Sequence, residues 1–253
     1  MARLHRPLLI AGLVNAAALV PVLGLMAFDD RLILGISPWI KPAKFLVSVA
    51  IYLITLAWMV PRIRGYDKTR AIIAWGVLIA LSLENVAIVT QAARGTISHF
   101  NQESVFDAMV FAMMGMLIML NTGLIAWLLV LFLRSPEPMP RAQLAGIRLG
   151  LLLFLIGGLE GGMMIAANAH SVGVPDGGPG LPFVNWSTKG GDLRAAHFVG
   201  LHALQALPIL GWFLSRKSHD AGVFTVRAVA VVWGLLFAGL TALAIRGVPI
   251  IGV

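Results

Sequence analysis

The sequence predicts an all-α, polytopic transmembrane bundle of seven helices. Three observations predict it. Mean hydropathy is +0.90 and 59% of the 253 residues are hydrophobic. Charged residues make up only 12%, about half the fraction of a soluble domain. Apolar runs of about 20 residues, long enough for a helix to cross a bilayer, recur along the chain. In lipid the backbone must satisfy its own polar groups, so such runs are read as helices.

The runs fall at 7–28, 42–60, 71–93, 107–133, 146–169, 195–214 and 223–245. The first begins like a signal peptide, with Arg3 and Arg6 before an apolar core. That core is longer than the about 7–15 residues of a signal h-region, so it reads as an uncleaved span. "PWIKPAKF" (38–45) leads into the second, with Lys41 and Lys44 at its end. The fourth is methionine-rich around "MVFAMMGMLIML", which suits flexible packing better than a metal relay; Asn121 and Thr122 lie near its middle. "RSPEPMPRAQ" (134–143) is proline-rich and reads as a loop between four spans and three. The whole chain, 1–253, is expected to form one integral membrane domain.

Basic residues set the expected orientation. One side collects Arg3, Arg6, Arg62, Arg64, Lys68, Arg70, Arg134, Arg141, Arg148, Arg216, Lys217 and Arg227. The other has Arg31, Lys41, Lys44, Arg94, Lys189, Arg194 and Arg246. The richer side is expected to be cytoplasmic. That places the N-terminus inside, the C-terminus outside, and the loops 29–41, 94–106 and 170–194 outside a cell (inner) membrane. "VPDGGPGLPF" in the last of these combines glycine freedom with proline rigidity, as a folded cap would.

A faint repeat runs through the middle. "LENVAIVTQAARG" (83–95) resembles "LEGGMMIAANAHS" (159–171) around Glu84 and Glu160. Asp107 and Asp192 then open the following spans, each with a glycine eight residues on, Gly115 and Gly200. This would be a parallel tandem repeat of helical hairpins, a device found in transporter folds. Chance likeness between apolar helices is the competing explanation.

Composition excludes several functions. With no cysteine there are no disulfides, thiolate metal sites or cysteine nucleophiles. The net charge of +8 lies between apolar runs and reports topology, not nucleic acid; no nucleic-acid motif is present. The last span has no lysine for a retinal Schiff base, and the N-in orientation is opposite to that of rhodopsin. No GxSxG elbow, HExxH, P-loop or dinucleotide fingerprint occurs.

Candidate chemistry rests on ionisable groups inside spans, each costing about 2.5–3.5 kcal/mol to insert. Glu84 and Glu160 are the two acids well inside, each about 13 Å from the outer helix end. His202 lies about 10 Å deep on the sixth span, with Gln205 one turn further. Glu84, Glu160 and His202 are therefore the candidate catalytic groups, as metal ligands, proton carriers or a general base. Interhelical glue is the alternative for the two acids. Gln91 follows Glu84 at i+7 on the same face, and these polar stripes are expected to point inward. The glycines around Glu160 in "GGLEGG" favour close helix packing.

His197 and His202 point about 140° apart on one helix, so they do not form a single metal pair. His99, His170 and His197, with Gln205, are the candidate cofactor ligands at the outer face. Haem, or an iron, copper or zinc ion held by His202, Glu84 and Glu160, is the suspected cofactor. A hydrogen-bonded structural role is the bland alternative for each histidine. His5 and His219 lie on the cytoplasmic side and read as incidental. Lys41, Lys44, Trp186, Asp192 and Arg194 could orient a small or lipid-soluble substrate. Asp192 also suits the N-cap of the sixth span. Trp39, Trp186 and Phe183 suit the headgroup level. The leading expectation is a membrane-embedded enzyme or redox protein. A proton-coupled small-solute transporter and a non-catalytic scaffold subunit are the rivals.

Overall fold

A computed structural model describes residues 4–215 and 219–252, with side chains at 4–215 and 221–252. Arg3, Arg216 and Lys217, which enter the orientation argument, lie outside the described residues, as does the His219 side chain. Among the described residues seven helices are long and apolar enough to cross a membrane. They are α1 (Arg6–Phe28), α2 (Ile40–Met59), α3 (Asp67–Arg94), α4 (Val105–Arg134), α5 (Arg141–Ala167), α6 (Leu193–Leu214) and α7 (His219–Ile245). The expected all-α class is what the chain forms. Two strands of two residues each, β1 (Ser171–Val172) and β2 (Gly191–Asp192), are the only named strands among the described residues. The chain forms two compact units, residues 1–128 and 129–253.

In the first unit α1 packs on α2. Gly12 lets the backbones meet, since a Cβ there would lie 3.1 Å from the Ala50 carbonyl oxygen. His5 caps α1, its Nδ1 accepting from the Leu8 amide at 3.5 Å. The loop after α1 is tied down by Asp29. Its carboxylate accepts from Arg31 Nε (2.9 Å) and Nη2 (2.6 Å) and from Trp39 Nε1 (2.7 Å). Those bonds from Arg31 and Trp39 hold the Asp29 carboxyl well below its ordinary pKa. Arg31 Nη1 also donates to the Ala93 carbonyl at 3.0 Å, fastening the loop to the end of α3.

Along α3 the buried positions include Ile73, Val77, Ala80, Leu81, Glu84, Ile88 and Gln91. That is a helical stripe with two polar members. The helix starts earlier than the apolar run, at Asp67, after Tyr66 turns left-handed (φ 56°). It ends at Gly95 (φ 77°), whose amide bonds Ala92 O while the Thr96 amide bonds Gln91 O. Only glycine adopts that backbone without steric cost. Polar side chains join the unit's helices. Asn85 Nδ2 donates to Asn15 Oδ1 at 2.6 Å, and the Tyr52 hydroxyl to Asn121 Oδ1 at 3.0 Å.

The second unit is organised by glycine contacts between α5 and α6. A Cβ on Gly146 would lie 2.3 Å from Leu207 O; on Gly157, 2.6 Å from Gly200 Cα; on Gly211, 2.5 Å from Ala142 O. The two backbones are in contact, as small-residue interfaces in membranes allow. β1 pairs with β2 antiparallel, Ser171 opposite Asp192 and Val172 opposite Gly191. A Cβ on Gly191 would meet Ala244 O at 2.0 Å, so the strand pair lies flush on α7. Asp192 is the N-cap of α6, accepting from the Arg194 amide at 3.0 Å.

The expected repeat keeps Glu84 on α3 and Glu160 on α5, and both helices end in a left-handed cap, Gly95 and Asn168. The caps are out of step. Gly95 is about three turns beyond Glu84, and Asn168 is about two turns beyond Glu160.

Candidate functional site

Each unit buries one glutamate. In the first, Glu84 is 1% exposed, and neither carboxylate oxygen has a hydrogen-bond partner among the described residues. His99 comes to it from the loop after α3, with Nε2 3.7 Å from Glu84 Oε1. The imidazole sits among Phe45 of α2, Phe100 of its own loop and Phe111 of α4, at ring-centroid distances of 6.0, 6.3 and 6.1 Å. Its Nδ1 is 3.2 Å from Ser98 Oγ. Lys41, in the first turn of α2, acts electrostatically on Glu84; Lys44 is half-buried one turn on.

Gln91 shares the buried face of α3, as expected, but faces a different partner. Its Nε2 donates to Asp107 Oδ1 at 2.8 Å, and Arg94 and Ser104 also donate to that carboxylate. Asp107 is buried, and the group clamps the start of α4 to the end of α3. The Arg94 guanidinium lies 4.7 Å from the Phe106 ring centroid. Beside these residues an apolar groove of about 160 Å³ runs along α3 and α4, lined in part by Leu83, Ala87, Val110 and Met113.

In the second unit Glu160 is also 1% exposed. The Thr241 hydroxyl of α7 donates to its Oε1, and Oε2 has no partner among the described residues. His197 directs Nδ1 at Gly157 O, 2.9 Å away, and its Cε1 faces Gly161 one turn on. His202 does not join Glu160. Its Nδ1 is engaged by Phe198 O of its own helix at 2.8 Å. Its ring stacks on Phe198 at 4.0 Å, and Phe198 meets Trp186 at 5.7 Å. The inward stripe expected of His202 and Gln205 is displaced. Gly200, Ala203, Leu204 and Leu207 form the buried face of α6, and His202 and Gln205 lie half-buried on its flank.

The loop over this unit uses two of the groups named for substrate, Asp192 and Arg194. Arg194 donates to Asp192 through Nε (2.9 Å) and Nη2 (2.6 Å), and to Asn185 O (2.6 Å). Asp192 also accepts from the Ser187 amide at 2.7 Å. Such a fork-to-carboxylate pair fixes geometry. His170 is similarly engaged. Asp176 takes its Nδ1 at 2.7 Å, its amide at 3.0 Å and the Ser171 amide at 2.8 Å. Burial opposes ionisation of Asp176, but the His170 and Ser171 hydrogen bonds outweigh it and hold the carboxyl below its ordinary pKa.

Among the described residues no group of three or more His, Asp or Glu side chains is placed to hold a metal ion. The arrangement instead offers two buried carboxyl groups with unpartnered oxygens, one beside a histidine and one beside a hydroxyl. Both are proton-exchanging combinations. Sequence patterns single out Glu84 and His99 but do not pair them. They give no sign of Thr241, of Lys41 acting on Glu84, or of the three phenylalanines around His99. No family model, curated protein or solved structure matches the chain.

Proposed function

We propose that the chain is a proton-coupled transporter of a small solute, with Glu84 and Glu160 as its proton-carrying groups. It would sit in the cell membrane with the N-terminus cytoplasmic and the C-terminus outside. One observation carries the reading: both intramembrane acids are almost fully buried, and each has a carboxylate oxygen with no hydrogen-bond partner among the described residues. A buried polar group without a partner costs free energy that packing alone does not offset. Structural glue would have both oxygens bonded, as Asp107 does. Ionisable groups at such positions serve proton relays in pumps and transporters.

The test is flux in proteoliposomes loaded with a pH-sensitive dye. Addition of a panel of amino acids, sugars, amines and carboxylates should move protons for at least one class. Glu84→Gln and Glu160→Gln should each reduce that movement at least about tenfold while eluting as folded protein. Wild-type behaviour in both variants would overturn the assignment.

The apolar groove beside the Glu84 region favours a second reading, an embedded enzyme acting on a lipid-soluble substrate. A redox or metal-dependent form of it requires a cofactor. An absorption band or stoichiometric iron, copper or zinc in purified protein would move the assignment there.

A further inference from the structure

The loop after α3 returns a histidine to the buried Glu84 carboxyl. Gly95, which ends α3, lies about 16 Å beyond Glu84 along the helix axis. Helical side chains also tilt toward the N-terminus, carrying the carboxyl further from that end. Yet His99, four residues past the cap, brings Nε2 to within 3.7 Å of Oε1. The backbone therefore turns back along α3 instead of leaving it. The turn begins at Gly95 (φ 77°), and Phe100, just past His99, is again left-handed (φ 60°). Asn101 locks it, its Nδ2 donating to Thr96 Oγ1 (2.9 Å) and Ile97 O (3.0 Å), while the Glu103 amide donates to its Oδ1 (3.1 Å). Asn101 and Ser98 are buried. Irregular backbone beside a membrane helix is tolerated where protein covers it or where it lines a polar path.

We propose that this re-entrant loop is a proton port, in which His99 passes protons between the aqueous face and the buried Glu84 carboxyl. The proposal rests on Glu84 being a proton carrier. The position of His99 suits a relay, because its side chain is 24% exposed while that of Glu84 is 1% exposed. An imidazole can release a proton from Nε2 to Oε1 and accept another at Nδ1 from the water side or Ser98 Oγ. The ring then resets by flipping, and where Ser98 Oγ gives the proton it regains one from water, so one proton passes from water to Oε1 and no other bond changes. Charged groups come toward the pair from α2 and α4 among the described residues. Lys41 comes from α2; from α4, Phe111 packs on the imidazole, and Asp107 is held by Arg94, Gln91 and Ser104. The phenylalanines around His99 restrict bulk water, which makes the imidazole the path.

The experiment measures hydrogen–deuterium exchange of the Glu84 carboxyl by infrared spectroscopy of the full chain in lipid. Loss in Glu84→Gln identifies the band. His99→Phe keeps the ring volume among Phe45, Phe100 and Phe111, and should slow exchange at least about tenfold. Added imidazole should restore part of the rate. Exchange at the wild-type rate in His99→Phe, or no exchangeable band assignable to Glu84, would overturn the port. Flux separates this from the function reading: if Glu84→Gln abolishes flux while His99→Phe exchanges normally, the port alone fails. If Glu84→Gln leaves flux unchanged, the carrier reading fails first.

Discussion

Asp176 shows how one side chain governs the loop of the second unit. It gathers the His170 ring, the His170 amide and the Ser171 amide, and its carboxyl is held below the ordinary value. A carboxyl with a depressed folded pKa stabilises the fold fully above its unfolded pKa, about 4. That stability is lost as pH falls through the lower folded value. Amide exchange at His170 and Ser171, corrected for intrinsic rates, should show steady protection near neutrality and loss below about pH 4. Asp176→Asn should show the loss at neutral pH. Unchanged protection down to about pH 2 would mean that other contacts hold the loop. The same scale marks what the sequence does not reveal. An acid inside an apolar run is conspicuous, so Glu84 and Glu160 are legible as buried. Helical periodicity also puts Gln91 on the face of Glu84. In the sequence His99 groups with His170 and His197, because all three lie near span ends on one side. Periodicity carries no information about a loop's path, so the return of His99 to Glu84 is invisible there. The inward direction expected for His202 is missed for a different reason: depth along a helix is readable, but direction depends on which face the glycines of α6 present to α5.

Those glycines make the element-scale argument. α5 reads "GGLEGG", and adjacent glycines do opposite things. Gly157 touches Gly200 with no room for a Cβ, whereas a Cβ on Gly158 would meet nothing within 4 Å. Gly157→Ala must push α5 and α6 apart, an overpacking cost of about 1–3 kcal/mol. Gly158→Ala should be neutral or stabilising, because alanine is the better helix former by up to about 1 kcal/mol. Thermal unfolding in detergent, followed by loss of the monodisperse elution peak, compares the two directly. Equal effects would mean that the glycines serve helix flexibility and not a backbone contact. The helices themselves are legible because apolar length is a strong signal. Their starts lie further out than the apolar runs, at Asp67 for α3 and Arg141 for α5, because a helix continues into polar residues until a cap or a left-handed turn stops it. The repeat is half legible: it aligns the acids, but the caps after them fall out of step.

At the scale of the whole molecule, orientation would decide which compartment supplies a proton to the proposed port. Basic residues favour a cytoplasmic N-terminus, twelve against seven. If that orientation holds and all seven helices cross, the loop after α3 would lie outside and the proposed His99 port would open outward. The chain has no cysteine, so any introduced thiol is unique. Ser135→Cys lies between α4 and α5, and Gly178→Cys lies in the exposed loop between α5 and α6, where a side chain meets nothing within 4 Å. In intact cells a membrane-impermeant maleimide should label Gly178→Cys and spare Ser135→Cys until the membrane is opened. The reverse pattern would invert the protein, and protons would reach Glu84 from the cytoplasm through the same loop. Labelling of both from one side would mean that α5 does not cross, and the span count itself would fall. The proposed port would survive inversion, because it depends on the distance from His99 to Glu84, but the proposed direction of coupled transport would not.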